Sequence, residues 1–406
     1  MYDIIIIGGG IAGLYSAYQI KKQHPTIKLL ILERNRVGYL GGRIGNEIFE
    51  GTSVVTGAGI GRKQKDKRLQ RLLKELDIPC SEFTTEPRYS QVIDPVCSVK
   101  KTFLELKKQY DPKKHSQLTF KKYATSILGK KAYHHFTICA GYTDYENESA
   151  YSTLYHYGFD DNYEKWDAFY VPWKKLVEKF IQLIGEKNIH YSQNVLKIAQ
   201  KHPGFMIETK TSEYECTRMI VATPINSLKQ LLPNALKHGG IYNKIHSQPF
   251  LRIYGKFSKE SLPLLRTYIS KGLIIVPGPL HKIITMDPDK GVYMIAYTDN
   301  AAALALNEYT KNTKKNREIL CRLFEKSLGM PPNVLELDSI VHYFWKEGTH
   351  YYEPMTEPRN QFIHSAQRPA ENIWVVGELI SNNQGWVEGA LESVDAVIKD
   401  VLKKIE

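Results

Sequence analysis

Ile4-Ile5-Ile6-Ile7 is a β-branched run of the kind buried on both faces of a parallel sheet. Gly8-Gly9-Gly10-Ile11-Ala12-Gly13 follows it without a break. Helix-compatible residues continue from Leu14 to Lys22, and a second apolar run, Lys28-Leu29-Leu30-Ile31-Leu32, ends at Glu33. Strand, helix and strand in this order make a βαβ unit whose glycines have separate duties. Gly8 permits a tight turn, Gly10 lets the backbone approach a pyrophosphate, and Gly13 packs the helix on the strand. The helix N-terminus, with Ile11 and Ala12 in its first turn, then faces the phosphates. Glu33, with Arg34 beside it, stands where a carboxylate accepts from ribose hydroxyls. The unit predicts a dinucleotide site. Its acid disfavours a 2′-phosphate and leaves FAD and NAD both open.

A chain of 406 residues exceeds the roughly 250–300 residues at which single cores stop growing, so two domains are expected. With 42% hydrophobic and 24% charged residues the composition is that of a globular protein. Lys and Arg outnumber Asp and Glu by 55 to 43, a net charge of +12. The basic clusters run from Arg62 to Lys74 and from Lys107 to Lys122. Residues 63–76 read as an amphipathic helix with Leu69, Leu72, Leu73 and Leu76 on one stripe, so its charges form a solvated face. No nucleic-acid-binding module is recognisable, and no specific nucleic-acid partner is expected. The five cysteines form no CxxC pair, which argues against a disulfide framework or zinc site and suits a reducing compartment. His134-His135 lacks ligand spacing, HExxH and GxSxG are absent, and no metal is expected. No apolar stretch approaches the ~18 residues of a membrane span, and the chain enters a strand at once, so a cytoplasmic location is the default.

Further along, Tyr142 to Trp173 is rich in aromatics, which suits a segment that lines a cavity. Val171 to Ile184 reads as a helix, Ile189 to Ile198 as one short strand, and Met219 to Pro224 as a strand stopped by proline. Leu251 to Phe257 alternates, placing Arg252, Tyr254 and Lys256 on one face. Ile373 to Glu378 repeats the opening style and precedes a helix from about Trp386 to Lys404. No linker or repeat separates these parts, so the two domains are expected to interleave.

Leu40-Gly41-Gly42-Arg43 follows Glu33 closely, and here the chain resembles the flavin-containing amine oxidases, relatives of protoporphyrinogen oxidases and phytoene desaturases. The resemblance implies FAD, with Gly41, Gly42 and Arg43 at its pyrophosphate and ribityl chain. Exposed amides and a guanidinium fork suit that task on chemical grounds. Thr56-Gly57-Ala58-Gly59 is similar to the family's next flavin-contacting loop, and Val195 to a strand valine whose backbone meets the adenine. Gly377-Glu378 with Gly385-Trp386-Val387-Glu388-Gly389-Ala390 is similar to the C-terminal flavin motif, which adds Gly377, Glu378, Trp386, Val387 and Ala390 to the cofactor contacts. The fold implied is α/β: a Rossmann-like FAD-binding domain of the glutathione-reductase type (residues 1–80, 188–245 and 365–406) interleaved with a mixed α+β substrate domain (81–187 and 246–364).

The same resemblance implies a reaction centre. The family holds its amine between two aromatic walls, here Trp386 and Tyr351, with Tyr352 as the fallback. Arg252 falls where many members carry a lysine near the flavin, and Lys256 restores a lysine if the register shifts by two. His350 stands where some members attach FAD through cysteine, and non-covalent FAD is expected. Glu146, Glu148, Asp160, Asp161 and Glu353 are candidates to anchor a distal cation, although each reads more simply as a surface carboxylate. The implied activity is oxidation of a small amine to an imine, with O2 as acceptor and H2O2 released. The alternatives are a desaturase or protoporphyrinogen-oxidase-like enzyme, and a flavoprotein without catalysis that serves as a binding scaffold.

Overall fold

In the computed structural model, which describes residues 1–96, 98–232, 240–269 and 272–405, Ile4–Ile7 is the middle strand of a five-stranded sheet. The order is Ile373–Val375, Met219–Val221, Ile4–Ile7, Leu29–Leu32, Ile189–His190, and every pairing is parallel. Ile4 and Ile6 pack into the core on one face, and Ile5 and Ile7 into the core on the other. A sheet covered on both sides needs such an unbroken apolar strand. The helix Ile11–Gln23 lies on the first face beside Trp173–Ile184 and Val387–Asp395. Its approach is so close that a Cβ on Gly13 would stand 2.0 Å from the Gly8 carbonyl oxygen.

A second large sheet has six strands. Its long members, Ile245–Phe257 and Leu337–Tyr352, pair antiparallel, with Arg252 opposite Tyr343 and Phe250 opposite Trp345. Val292–Asp299, Lys282–Asp287, Leu273–Ile275 and Arg88–Tyr89 continue it. A helical cluster that includes Val99–Gln109, Phe120–Leu128 and Lys130–Ala140 buries its own aromatic core around Phe120, Phe136 and Phe159.

Several sequence expectations change. The strand expected over 189–198 is two strands in different sheets, Ile189–His190 and Val195–Lys201, with Ser192 between them at φ 56°. The C-terminal helix is also two, Val387–Asp395 and Ile398–Ile405. The basic helix spans Lys67–Glu75 with its leucine stripe buried. Glu388 accepts from the backbone N–H groups of Arg68 and Leu69 and so closes that helix's N-terminus. Arg62, counted from sequence among the solvated charges, is only 3% exposed. Cys139 is disulfide-bonded, whereas the cysteine spacing argued against a disulfide framework.

Gly13→Ala should therefore cost about 2–3 kcal/mol through overpacking against backbone. Gly10→Ala should stay within about 1 kcal/mol, because a Cβ there meets only the Gly41 oxygen, at 4.0 Å. Urea-unfolding midpoints of the two variants check the contrast.

Candidate active site

A cavity of about 2110 Å³ runs between the two sheets. Ligand pockets for drug-sized molecules are typically about 300–1,000 Å³, so this one has room for a dinucleotide and a second molecule. Every residue singled out for cofactor binding lines it except Gly13, whose place is the helix–strand contact. At one end the Glu33 carboxylate is fixed by the N–H groups of Gly9 and Asn35, both at 2.8 Å. Gly10 opens towards the cavity, and the helix behind it has neither a side-chain cap nor an acid in its first turn. Its leading amides are therefore free for an anion. Gly42, at φ 63°, comes so near that a Cβ on it would lie 3.2 Å from the Gly10 Cα. The Val195 strand and Arg34 complete this end. Each of these features fits the adenosine and diphosphate of FAD.

Midway along the cavity a buried carboxylate is held from three sides. Glu378 Oε1 accepts from Arg43 Nη1 at 2.6 Å and from His350 Nδ1 at 2.5 Å, and Oε2 accepts from the Gly385 N–H at 3.2 Å. Burial alone would push its pKa up. His350 and Arg43 outweigh burial and hold it at about 2. Arg43 also donates from Nη1 to the carbonyls of Glu347 and Gly348. His350 is fully engaged, since its Nε2 accepts from the Ile225 N–H.

Beyond the Thr56–Gly59 loop the cavity becomes aromatic. Trp386 precedes the helix Val387–Asp395 and lines the cavity. The Arg62 guanidinium lies 3.6 Å from its ring centroid, clamped by Asp66 at 2.6 Å and Asp161 at 3.1 Å. Arg252 lines the cavity, buried, 3.9 Å from the Tyr297 centroid and beside Gly59. It forms no ion pair among the described residues. Lys256 lies outside the cavity, donating to the Phe257 carbonyl and 3.6 Å from Asp338.

Neither Tyr351 nor Tyr352 is among the residues lining this cavity. Tyr351 shares its strand face with Thr349, which does line it, but stands two residues further on. That is about 6–7 Å along a strand, where it stacks on His246 at 5.4 Å. Tyr352 is buried edge-on against Phe362 in the core beneath the parallel sheet. The rings that line the cavity include Tyr142, Phe250 and Tyr297, with Tyr142 and Tyr297 at 5.4 Å. Tyr142 lay inside the aromatic stretch noticed in the sequence, while Phe250 and Tyr297 belong to no motif.

Charged side chains lie buried among these rings. Lys282 Nζ sits 3.0 Å from the Tyr142 centroid, and burial lowers its pKa to about 7 against the pull of Asp144 and Asp299. Asp144 accepts from the Tyr157 hydroxyl at 2.6 Å. Asp299 accepts from the Thr143 N–H at 3.0 Å and from its hydroxyl. Burial raises both carboxyls above their ordinary range, and for Asp144 the charge of Asp299 adds to it.

Because Glu378 is depressed, the stability it contributes is full above the unfolded carboxylate value and is lost as pH falls towards about 2. Arg43→Met should destabilise the protein by about 2 kcal/mol at pH 7. The gap from wild type, followed by urea unfolding, should hold down to about pH 5 and narrow below it.

Comparison with known proteins agrees with this geometry. Residues 6–76 match an NAD(P)-binding Rossmann-like domain. An uncharacterized protein of Acanthamoeba polyphaga mimivirus is 21% identical, over 98% of this chain and 93% of that protein. Among solved structures, cyclohexylamine oxidase from Brevibacterium oxydans superposes with a TM-score of 0.77 at 13% identity, covering 100% of this chain and 99% of its own. A putrescine oxidase bound to putrescine gives 0.75 at 15%, covering 99% of both chains. These identities speak for the fold. Residues 107–395 match the flavin containing amine oxidoreductase family, and with a parallel-sheet dinucleotide end joined to an aromatic cavity, the chain belongs to that family.

Proposed function

We propose that this protein oxidises the carbon–nitrogen bond of a small primary or secondary amine to an imine, with non-covalent FAD, O2 as acceptor and H2O2 as co-product. The observation that carries the reading is one continuous cavity with Glu33 and Gly10 at one end and the rings of Trp386, Tyr142, Phe250 and Tyr297 at the other. In this reading residues 1–80, 188–245 and 365–406 hold FAD, and 81–187 and 246–364 hold substrate. The related structures, a cyclohexylamine oxidase and a putrescine oxidase, support an amine as the substrate class.

The bound flavin would supply the hydride acceptor; the chain supplies place and environment. The amine lies among aromatic faces that attract a cation and exclude water. Arg252, buried and permanently charged, favours negative charge developing beside the Gly57–Gly59 loop. Glu378 is anchored to orient a hydroxyl donor of the cofactor. His350 holds Glu378 with one nitrogen and receives a backbone N–H with the other, which leaves it unsuited to a covalent flavin bond.

Gly10→Val should purify folded and colourless, because the added side chain meets ligand and not protein. Flavin should leave wild-type protein on denaturation, and flavin in the precipitate would rule out the non-covalent reading. In air, benzylamine, cyclohexylamine or putrescine should yield peroxide in step with amine consumed. Yellow protein that makes no peroxide from any of them would overturn the proposed activity.

A further inference from the structure

A second, much smaller void adjoins the aromatic end of the cavity. Its volume is about 20 Å³, room for one water. Asp144 and Tyr157 line both spaces, while Glu148 and His156 line only the small one. Gln248 and Gln384 also form its walls, and the side-chain amide oxygen of each is buried with no donor among the described residues. An unpaired buried acceptor costs about 1–3 kcal/mol, and an internal water is the usual partner for such groups. Two orphaned oxygens around a water-sized polar void are thus an independent sign that a water belongs there.

The carboxylate at the junction is also unusual. Asp144 forms no ion pair among the described residues, and the hydrogen bond it receives comes from the Tyr157 hydroxyl. The other aspartates bordering the aromatic end, Asp66 and Asp161, are tied to Arg62. An amine arrives in neutral water as an ammonium ion, and its nitrogen lone pair must be freed before the C–N bond can be oxidised. A carboxylate that faces the amine space with no ion-pair partner among the described residues, backed by a water site and a second carboxylate, suits that task.

We propose that Asp144 accepts the proton of the substrate ammonium, and that a water in the adjoining void passes it to Glu148. This rests on the amine reading above. One N–H bond of the ammonium breaks with its electron pair left on nitrogen, and an O–H bond forms on Asp144. The proton then moves from Asp144 to the water as the water gives one to Glu148, so nothing is oxidised or reduced. The groups facing Asp144 are consistent with the role. Asp299 and Lys282 flank it from the six-stranded sheet; burial and the charge of Asp299 raise its proton affinity, against the Tyr157 hydrogen bond and the charge of Lys282. Across the void, burial pushes Glu148 up to about 7 despite Arg359 at 3.9 Å. His156 is lowered to about 4 by burial and Arg359 and stays neutral at working pH.

The test uses FAD-loaded protein and α,α-dimethylbenzylamine, which has no hydrogen on its α-carbon and cannot be oxidised to an imine. Its Kd is read from the flavin spectrum across pH 5–9. Wild-type binding should weaken as pH falls through the titration of Asp144, by up to tenfold per unit. Asp144→Asn should bind at least tenfold more weakly at pH 8 with a flat profile, and Asp144→Glu should restore the slope. Should Asp144→Asn fail to fold, Glu148→Gln decides. Removing a neighbouring negative charge lowers the proton affinity of Asp144, so the inflection must move to lower pH. A wild-type slope retained in Asp144→Asn, an unmoved inflection in Glu148→Gln, or wild-type binding that is absent or independent of pH overturns the proposal. The amine reading stands or falls separately, on peroxide from oxidisable amines.

Discussion

The fold hangs on one buried carboxylate. Glu378 follows the edge strand of the parallel sheet, Arg43 comes from the loop after the dinucleotide βαβ unit, and His350 comes from the long strand of the second sheet. Three segments far apart in sequence thus meet on two oxygens, and the two sheets are fixed relative to each other where the cavity changes from polar to aromatic. Such a charge is tolerable only while its partners stay in place. Removing Arg43 leaves the ion held only by His350 and the Gly385 N–H, at the cost of about 2 kcal/mol expected for a lost hydrogen bond to a charged group. The same contact gives Glu378 its low proton affinity, so it remains an acceptor at neutral and mildly acidic pH.

Much of the dinucleotide end was legible in the sequence because its constraints are local. A β-branched strand, glycines at a tight approach and an acid at the end of the next strand are each enforced by neighbours within a few dozen residues. The GGR segment and the last glycine-rich turn were legible for the same reason, since close backbone contacts leave few acceptable residues. The protein partner of Arg43 was not visible. The chemistry of the guanidinium suggested phosphate, while its partner, Glu378, is 335 residues away.

The aromatic end was less legible because it is set by where long strands stop and bulge. Tyr351 has the right strand phase for a cavity wall, yet the cavity closes at Thr349. The pairing of Ile245–Phe257 with Leu337–Tyr352 shifts register between Gln248 and Phe250, and no composition signal marks that shift. Asp144, Lys282 and Tyr297 reach one space from a loop and two strands, and spacing cannot announce such a meeting. The charge balance followed a similar course. Arg62 belonged on paper to a solvated helix face, but it is buried behind Trp386, and Arg252 and Lys282 carry further positive charge into the cavity.

In the function proposed above, the aromatic end presents an amine to FAD held at the glycine-rich end. The most direct measurement is the absorption spectrum of the purified protein under anaerobic conditions, before and after addition of benzylamine, cyclohexylamine and putrescine in turn. A yellow protein is expected, whose visible flavin band bleaches with at least one amine and returns on admitting air. A protein that binds no flavin, or whose band is unchanged by every amine, would contradict it.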